Sequence, residues 1–347
     1  MSCYHPLAAV KTGFLTDKGK EEWKVISKFT PDLEAEFNDD DFALVPCGKC
    51  LGCRLDYSRR WADRMVMELD HFKGKALFLT LTYNDDHVPK VFDYDKETGE
   101  CLDTVKTLTL QKKDLQDFIK RVRKKYSDRE CKFYACGEYG ERYMRPHFHV
   151  VLYGLSFEDF PKKHIKQVGV NEFNDPYYTV DEIQDLWSIC KDKRNKVYDP
   201  IGFVCVTEVS YKTMAYVARY TQKKFLNANG LVYEMLGKDP EFGLMSRNPG
   251  IGKRFLDDHP EFLGMDNVYI NDGSESRQIS LKKNYLEVLE KSNPVLYNKI
   301  KEQRKLLAKD SLLLQLQQSD LVFGEYYEMK ERQHLARITS LKRNKVI

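Results

Sequence analysis

Two pairs of side chains in this chain have the types and the spacing that phosphodiester chemistry requires. Tyr216 and Tyr220 stand four residues apart in Y-V-A-R-Y-T-Q-K, and His147 and His149 flank one phenylalanine in R-P-H-F-H-V. Residues four apart share a face of a helix, and residues two apart share a face of a strand. The sequence therefore presents two phenols together and two imidazoles together, which are the parts needed to cut and rejoin a DNA strand.

The two imidazoles form half of a metal site, and a third ligand is needed. Glu138 ends the preceding predicted strand, and a hairpin would bring its carboxylate beside His147 and His149. Two alternatives stay open at this point. A short H-x-H motif is often only a pair of half-exposed polar residues. Two histidines and one carboxylate are also the ligands of non-haem iron oxygenases, which would not require the tyrosine pair.

The tyrosine pair needs help to act as a nucleophile, because a phenol has a pKa of about 10. A divalent cation held by the histidines and Glu138 would polarise the phosphorus and stabilise the leaving 3′ oxygen. Lys223 falls on the same helical stripe and would neutralise phosphate charge or lower the phenol pKa. The expected product is a 5′-phosphotyrosine and a free 3′ hydroxyl. The alternative is that both tyrosines are core residues, since the chain contains 21 tyrosines.

A second set of metal-ligating residues lies near the beginning of the chain. Cys47, Cys50 and Cys53 form C-x2-C-x2-C, and Cys3 would supply a fourth thiolate for a tetrahedral structural zinc. The spacing also suits an iron–sulfur cluster, and a buried thiol cluster without metal is the simplest alternative. Several basic residues follow directly, so a metal-braced turn could direct a basic helix toward DNA. They are Arg54, Arg59, Arg60 and Arg64.

Composition limits the classes of protein that fit. The 347 residues are 42% hydrophobic and 31% charged, with a net charge of +3, so nucleic-acid binding would depend on local basic surface. Candidate surfaces are Lys112–Lys113, residues 120–125 and Lys282–Lys283, although such runs are often only solvated faces. No apolar run approaches a membrane span, and no secretory signal precedes the first motifs. We expect a cytoplasmic protein without disulfides and without a membrane partner.

Hydrophobic periodicity predicts an α+β fold. Strands are expected at 76–82, 132–137, 146–153 and 203–209, with helices at 54–71, 112–126, 180–190 and 213–226. This is the ferredoxin-like split βαβ order, for which an antiparallel sheet with helices on one face is the natural packing. The first forty residues, 84–108 and 155–180 read as irregular, and residues 281–293 and 295–317 as helical.

Three regions follow from this pattern. Residues 1–72 would form a cysteine-cluster and basic-helix region, residues 73–228 a catalytic domain, and residues 229–347 a loop and helical C-terminal region. Aromatic residues near the motifs, such as Tyr126, Tyr139 and Tyr143, would be able to stack on unpaired bases.

Three segments resemble the motifs of HUH endonucleases: F-L-T-L-T-Y at 78–83, G-E-Y-G with R-P-H-F-H between 137 and 149, and Y-V-A-R-Y-T-Q-K at 216–223. With C-G-K-C-L-G-C-R near the front, the chain is more narrowly similar to the replication initiators of microviruses, especially of the gokushovirus type. The similarity extends from about residue 46 to 224. The stretch S-R-N-P-G-I-G at 246–252 is a further similarity.

The resemblance implies an HUH-like fold and rolling-circle replication, with nicking of a supercoiled origin, attachment to the 5′ end and later circularisation. It implies Mg²⁺ or Mn²⁺, with His147 and His149 as ligands and with Tyr216, Tyr220 and Lys223 as catalytic residues. No G-x-x-x-x-G-K-[ST] motif occurs in the chain, so a host helicase and a host polymerase would be partners on single-stranded and supercoiled DNA. A cysteine-braced nucleic-acid-binding protein without catalysis remains an alternative.

Overall fold

A computed structural model describes residues 3–17, 19–28, 41–95, 97–140, 142–170, 175–192, 194–220, 227–271, 275–281 and 283–340. Residue contacts divide the chain into two compact units. One unit joins residues 1–57 to residues 286–344, and the other comprises residues 58–285. The predicted boundaries at residues 72 and 228 remain predictions.

The secondary structure of the described residues is mixed. The strands are β1 (Leu7–Leu15), β2 (Glu21–Lys28), β3 (Phe42–Val45), β4 (Ala76–Tyr83), β5 (Lys90–Tyr94), β6 (Cys101–Leu108), β7 (Lys132–Tyr139), β8 (Pro146–Tyr153), β9 (Ile165–Val170), β10 (Pro176–Val180), β11 (Ser188–Asp192), β12 (Val197–Pro200), β13 (Gly202–Glu208), β14 (Phe242–Met245), β15 (Asn267–Asn271) and β16 (Ser276–Ser280). The helices are α1 (Leu51–His71), α2 (Lys112–Lys125), α3 (Asp181–Gln184), α4 (Tyr211–Tyr220), α5 (Asn227–Leu236), α6 (Phe255–Asp258), α7 (Lys283–Ser292), α8 (Pro294–Ser319) and α9 (Phe323–Ser340). Over the described ranges, no helix combines the length and apolar character that crossing a bilayer would require.

A seven-stranded antiparallel sheet organises the larger unit, in the order β14-β7-β8-β4-β13-β10-β9. Its centre is β7-β8-β4-β13, which comprises the four strands predicted from the sequence. In chain order these are strands two, three, one and four, and this is the ferredoxin-like arrangement. The predicted α+β class, with a large antiparallel sheet, flanking helices and C-terminal helices, is confirmed.

Helices cover both faces of this sheet, so the prediction of one covered face was wrong. Alternation along β4 sends Leu77, Leu79 and Leu81 into a core shared with α2, and sends Phe78 into a second core. The second core is completed by α1 and α4. The reason is that β8 is apolar on both faces beyond its histidines, because Val150 and Val151 point in opposite directions and both are buried.

The two long helices of the sheet have the expected amphipathic spacing. In α2 the buried side chains are Leu115, Phe118, Ile119 and Val122, which recur at the i, i+3, i+4, i+7 spacing of one face. Helix α4 starts at a reciprocal cap, in which the Ser210 N–H donates to Thr213 Oγ1 and the Thr213 N–H donates to Ser210 Oγ. This cap fixes which side chains of α4 face the sheet.

Three segments expected to be irregular or helical differ in the structure. The N-terminal segment contains β1 and β2, which form the sheet β2-β1-β3, and the polar excursion contains the hairpin β5-β6. The segment 155–180 contains β9 and β10. The helix predicted over 180–190 ends after one turn at Gln184, because Trp187 turns into the core and donates to the Thr82 carbonyl.

The stretch S-R-N-P-G-I-G is fastened to α1. Arg64 donates through Nε and Nη2 to the Ile251 carbonyl at 2.9 and 2.6 Å, and the Gly252 N–H donates to the Glu68 carboxylate. Gly252 has a φ of +70°, and a Cβ there would lie 2.7 Å from the Arg64 carbonyl oxygen. Only glycine allows this approach of loop to helix.

Glu68 also forms a buried ion pair, and breaking it should destabilise the larger unit. Its Oε1 lies 2.6 Å from Lys132 Nζ, with the side chains 0% and 3% exposed. We expect Lys132→Met to cost about 3–5 kcal/mol, because the Glu68 charge is left buried and unpaired. The measurement is thermal unfolding. Adding Glu68→Gln, whose amide oxygen still accepts from Gly252, should recover much of the loss. A double variant no more stable than Lys132→Met would contradict this.

Candidate functional site

One carboxylate oxygen is the meeting point of the predicted site residues. Glu138 Oε1 lies 2.9 Å from His147 Nε2 and 3.0 Å from His149 Nε2. The Tyr216 hydroxyl donates to the same oxygen at 3.1 Å and lies 3.5 Å from His149 Nε2. The structure therefore brings Glu138, both histidines and Tyr216 together on one face of the sheet.

The register of three adjacent strands places these side chains. In the β7-β8 pair, Glu138 lies opposite His147, and in the β4-β8 pair, Thr80 lies opposite His149. Phe148 points to the other face and is fully buried there, as its place between two histidines predicts. A shift of one residue in either pairing would send the histidines into the other core, so the packing of Phe148 fixes the orientation of the imidazoles.

The second nitrogen of each imidazole is already hydrogen-bonded. His147 Nδ1 lies 3.1 Å from the Arg145 carbonyl, which can only accept, so Nδ1 carries the hydrogen. His149 Nδ1 lies 3.0 Å from Thr80 Oγ1. A neutral His147 therefore presents the lone pair of Nε2 to a carboxylate oxygen, and a proton or a cation is needed between them. Such partners at Nδ1 orient metal-binding histidines.

The site is buried on one side and open on the other. Glu138 and His149 are each 2% exposed, and the His147 side chain is 17% exposed. The His149 ring stacks on Phe78 at 5.5 Å and meets the Tyr216 ring edge-on at 5.0 Å. This packing holds the imidazole and the phenol in fixed orientations. A reactant must approach from the side of His147.

The carboxylate is held in its charged form. Burial works to raise the pKa of Glu138, but hydrogen bonds from His147 and His149 and the charge of those imidazoles outweigh it and lower the pKa to about 2. Glu138 Oε2 is buried and accepts no hydrogen bond from any described residue. A buried anionic oxygen without a partner, beside two imidazole nitrogens, fits a cation. Glu138, His147 and His149 thus form a group able to hold a metal ion.

The tyrosine helix is described only in part. Helix α4 buries Met214, Val217 and Ala218 against the sheet, which turns Tyr216 toward the histidines. Tyr220 is the last residue of α4, and its side chain lies outside what the structure describes. Lys223 lies outside the described residues as well. The roles of Tyr220 and Lys223 therefore remain predictions.

The structure also brings the four cysteines together. The Sγ atoms of Cys3, Cys47, Cys50 and Cys53 all lie within 4.8 Å of one another, although 44 residues separate the first two. They form a second group able to hold a metal ion. None of the nine cysteines is in a disulfide, as expected.

The basic runs are largely used within the fold. Arg121 donates to the Leu186 carbonyl, Arg123 donates to Ser246 Oγ, and Lys120 pairs with Asp117. Lys282 lies outside the described residues. Sequence reasoning missed Thr80 and Phe78, which hold His149. The signal that could have found them is their place in F-L-T-L-T-Y, on the face of β4 that lies beside the histidines.

Comparisons with known proteins agree with the motifs. Residues 76–225 match a family model described as replication-associated protein ORF2, a range that contains all the described catalytic candidates. The replication-associated protein ORF2 of Spiroplasma virus 4 is 29% identical over 273 residues, which cover 77% of this chain and 75% of that protein.

Two other phage proteins are similar. The replication-associated protein VP4 of Bdellovibrio phage phiMH2K is 26% identical over 92% of this chain and 87% of its own length. The replication-associated protein ORF4 of Chlamydia phage 1 is 28% identical over 59% of this chain and 45% of its own length. A comparison with solved structures gave no significant match. The predicted resemblance is confirmed, and the chain is a relative of the replication-associated proteins of phages.

Proposed function

We propose that this protein initiates rolling-circle replication by nicking one strand of an origin and joining the DNA end to a tyrosine. The observation that carries the proposal is the shared carboxylate oxygen, because Tyr216 Oη and both imidazoles contact Glu138 Oε1 within 3.1 Å. A phosphate bound to a cation at this group would lie beside the phenol. The similarity to replication-associated proteins supplies the substrate class, which is single-stranded and supercoiled DNA.

In the proposed step, Tyr216 Oη forms a bond to phosphorus, and the bond from phosphorus to the 3′ oxygen breaks. The phenol loses its proton and the leaving oxygen gains one, which gives a 5′-phosphotyrosine and a 3′ hydroxyl. Glu138 Oε1 already accepts the phenolic hydrogen bond and orients Oη. Because a phosphodiester replaces a phosphodiester, the strand can be rejoined by the reverse attack without a nucleotide cofactor.

Glu138, His147 and His149 would hold the divalent cation, for which we propose Mg²⁺ or Mn²⁺. The fit rests on the partnerless Glu138 Oε2 and on the two Nε2 atoms directed at the carboxylate. When bound, the cation supplies Lewis-acid polarisation of the phosphate and charge stabilisation at the leaving oxygen. The protein orients the two imidazoles through Thr80 and the Arg145 carbonyl and keeps one side of the site free of water.

Tyr220 is proposed as the second nucleophile and Lys223 as the group that neutralises phosphate charge. A second tyrosine allows a further cut while the first holds a DNA end, and that cut is needed to release a circle. We propose that a host helicase and a host polymerase supply unwinding and extension from the 3′ hydroxyl, within the host cytoplasm.

Two other functions explain less of the site. A non-haem metal oxygenase accounts for the two histidines and Glu138, but not for the Tyr216 contact or for the similarity to replication-associated proteins. A non-catalytic, cysteine-braced nucleic-acid-binding protein leaves the buried carboxylate and the oriented imidazoles unexplained. Neither alternative predicts a covalent adduct.

The tyrosine assignment predicts a specific pattern of adducts. Incubation with single-stranded origin DNA and Mg²⁺ should give a protein band that is shifted on a denaturing gel. The shifted band should vanish only when Tyr216 and Tyr220 are both changed to Phe, while either single change blocks circle formation. Tyr211→Phe, at the start of the same helix, is the matched control. Intact circle formation by both single variants would refute the scheme with two nucleophiles.

The cation site predicts a graded loss of cleavage with DNA binding retained. His147→Ala should abolish nicking, and Thr80→Val should reduce cation affinity or activity by about 10–100-fold, because it removes the partner that orients His149. His164→Ala, a surface histidine paired with Glu182, is the control. The measurement is the rate of nicking against Mg²⁺ or Mn²⁺ concentration. Undiminished nicking by His147→Ala would remove that residue from the site.

The loop before the histidines predicts a base contact. Of the three aromatic candidates, Tyr139 is buried and Tyr126 is half-buried, whereas Tyr143 is 73% exposed and lies four residues before His147. Stacking of a base on an aromatic ring contributes about 1–3 kcal/mol. Tyr143→Ala should therefore weaken binding of single-stranded DNA by roughly 5–150-fold in a fluorescence anisotropy titration. Tyr269→Ala, equally exposed, is the control, and equal affinities of the two variants would exclude the contact.

A further inference from the structure

We infer that Cys3, Cys47, Cys50 and Cys53 bind one structural Zn²⁺. Cys3 Sγ lies 3.9 Å from Cys50 Sγ, and Cys47 Sγ lies 4.0 Å from Cys53 Sγ. Four thiolates about 2.3 Å from a tetrahedral zinc ion lie about 3.8 Å from one another. A disulfide would need sulfurs about 2.05 Å apart. The spacing is therefore that of four ligands around a single ion.

Backbone N–H groups surround these sulfurs, as they do where thiolates carry charge. The Cys47 N–H donates to Cys3 Sγ at 3.3 Å, the Cys50 N–H to Cys47 Sγ at 3.4 Å, and the Cys53 N–H to Cys50 Sγ at 3.5 Å. The Tyr4 N–H adds a second donor to Cys50 Sγ at 3.4 Å. Such donors stabilise thiolate ligands and hold them in place. Both Cys50 and Cys53 lie at the first turn of α1, whose N-terminal dipole favours negative charge.

The spacing selects one ion over a cluster. In an iron–sulfur cluster, several iron atoms and sulfides lie between the cysteine sulfurs and hold them farther apart than the distances found here. All four ligands are thiolates and no position is left for water, which is the arrangement of a structural zinc site. Three of the four cysteines are also buried, so the ion would be shielded from solvent.

The ion would be a cross-link in a unit with little apolar core. The sheet β2-β1-β3 exposes several large side chains, including Phe14 at 71% and Leu15 at 69%. The cysteines join the residue-3 segment to the start of α1, and residues beside Cys3 contact α9. Tyr4 Oη lies 2.5 Å from His334 Nδ1, and His5 Nε2 lies 2.8 Å from Glu331 Oε2. Zinc would thus hold in place the segment on which α9 packs. Small units with few buried apolar residues often need a metal in this way.

Metal content tests the inference without any assay of DNA cleavage. Untagged protein, expressed in medium with added zinc and iron, should contain about one zinc per chain by plasma mass spectrometry. Cys50→Ser should lose it, whereas Cys101→Ser, at an exposed cysteine, should keep it. Iron with acid-labile sulfide would overturn the inference, and so would protein that lacks zinc or a Cys50→Ser variant that retains it.

Unfolding of the cysteine variant would not obscure the result, because the native chain gives a second readout. Titration of metal-free wild-type protein with Co²⁺ should produce the visible absorption of a tetrahedral tetrathiolate site, and one equivalent of Zn²⁺ should abolish it. Hydrogen exchange in the segments around residues 3–10 and 331–334 should slow when zinc is restored. Octahedral cobalt spectra or exchange rates unaffected by zinc would contradict a structural site. The nicking proposal stands or falls separately, because Mg²⁺ should restore cleavage without restoring this protection.

Discussion

The placement of one buried carboxylate between two imidazoles and a phenol is the constraint on which the candidate site depends. Glu138 can take this place only because β7 and β8 pair with residue 138 opposite residue 147. The carboxylate is costly to bury, and hydrogen bonds from both histidines keep its pKa at about 2. With its second oxygen partnerless, the group is prepared for a cation. Tyr216 then lies within hydrogen-bond distance of the atom that a metal would occupy or adjoin.

The described residues contain two groups able to hold metal, and their chemistry differs. The carboxylate and imidazoles of Glu138, His147 and His149 are hard or intermediate ligands, and the site has an open side at His147. The cysteine group offers four soft thiolates that enclose their centre. Open sites with mixed ligands suit catalysis, and closed thiolate sites suit structure. The same chain is therefore proposed to use one ion for reaction and another for stability.

Much of this arrangement could be predicted from the sequence, because it depends on local periodicity. The i, i+2 rule places His147 and His149 on one face, the short connection between two strands brings Glu138 to them, and hydrophobic spacing gives α2 and the central strands. The strands β1 and β2 were missed because their side chains are mostly exposed, so no alternation marks them. The helix expected at 180–190 was too long because the inward turn of Trp187 depends on contacts with distant strands. Thr80 could not be assigned, because its contact with His149 depends on the pairing of strands 69 residues apart.

The most direct test of the account is to identify the residue that carries DNA after cleavage. Native protein should be reacted with a single-stranded origin oligonucleotide and Mg²⁺, digested with protease and nuclease, and its nucleotide-bearing peptide sequenced by mass spectrometry. The account predicts a 5′-phosphate linked to the phenolic oxygen of Tyr216 or Tyr220, and loss of the adduct when the divalent cation is removed. A nucleotide on any other residue, or an adduct that forms equally well without divalent cation, would contradict it.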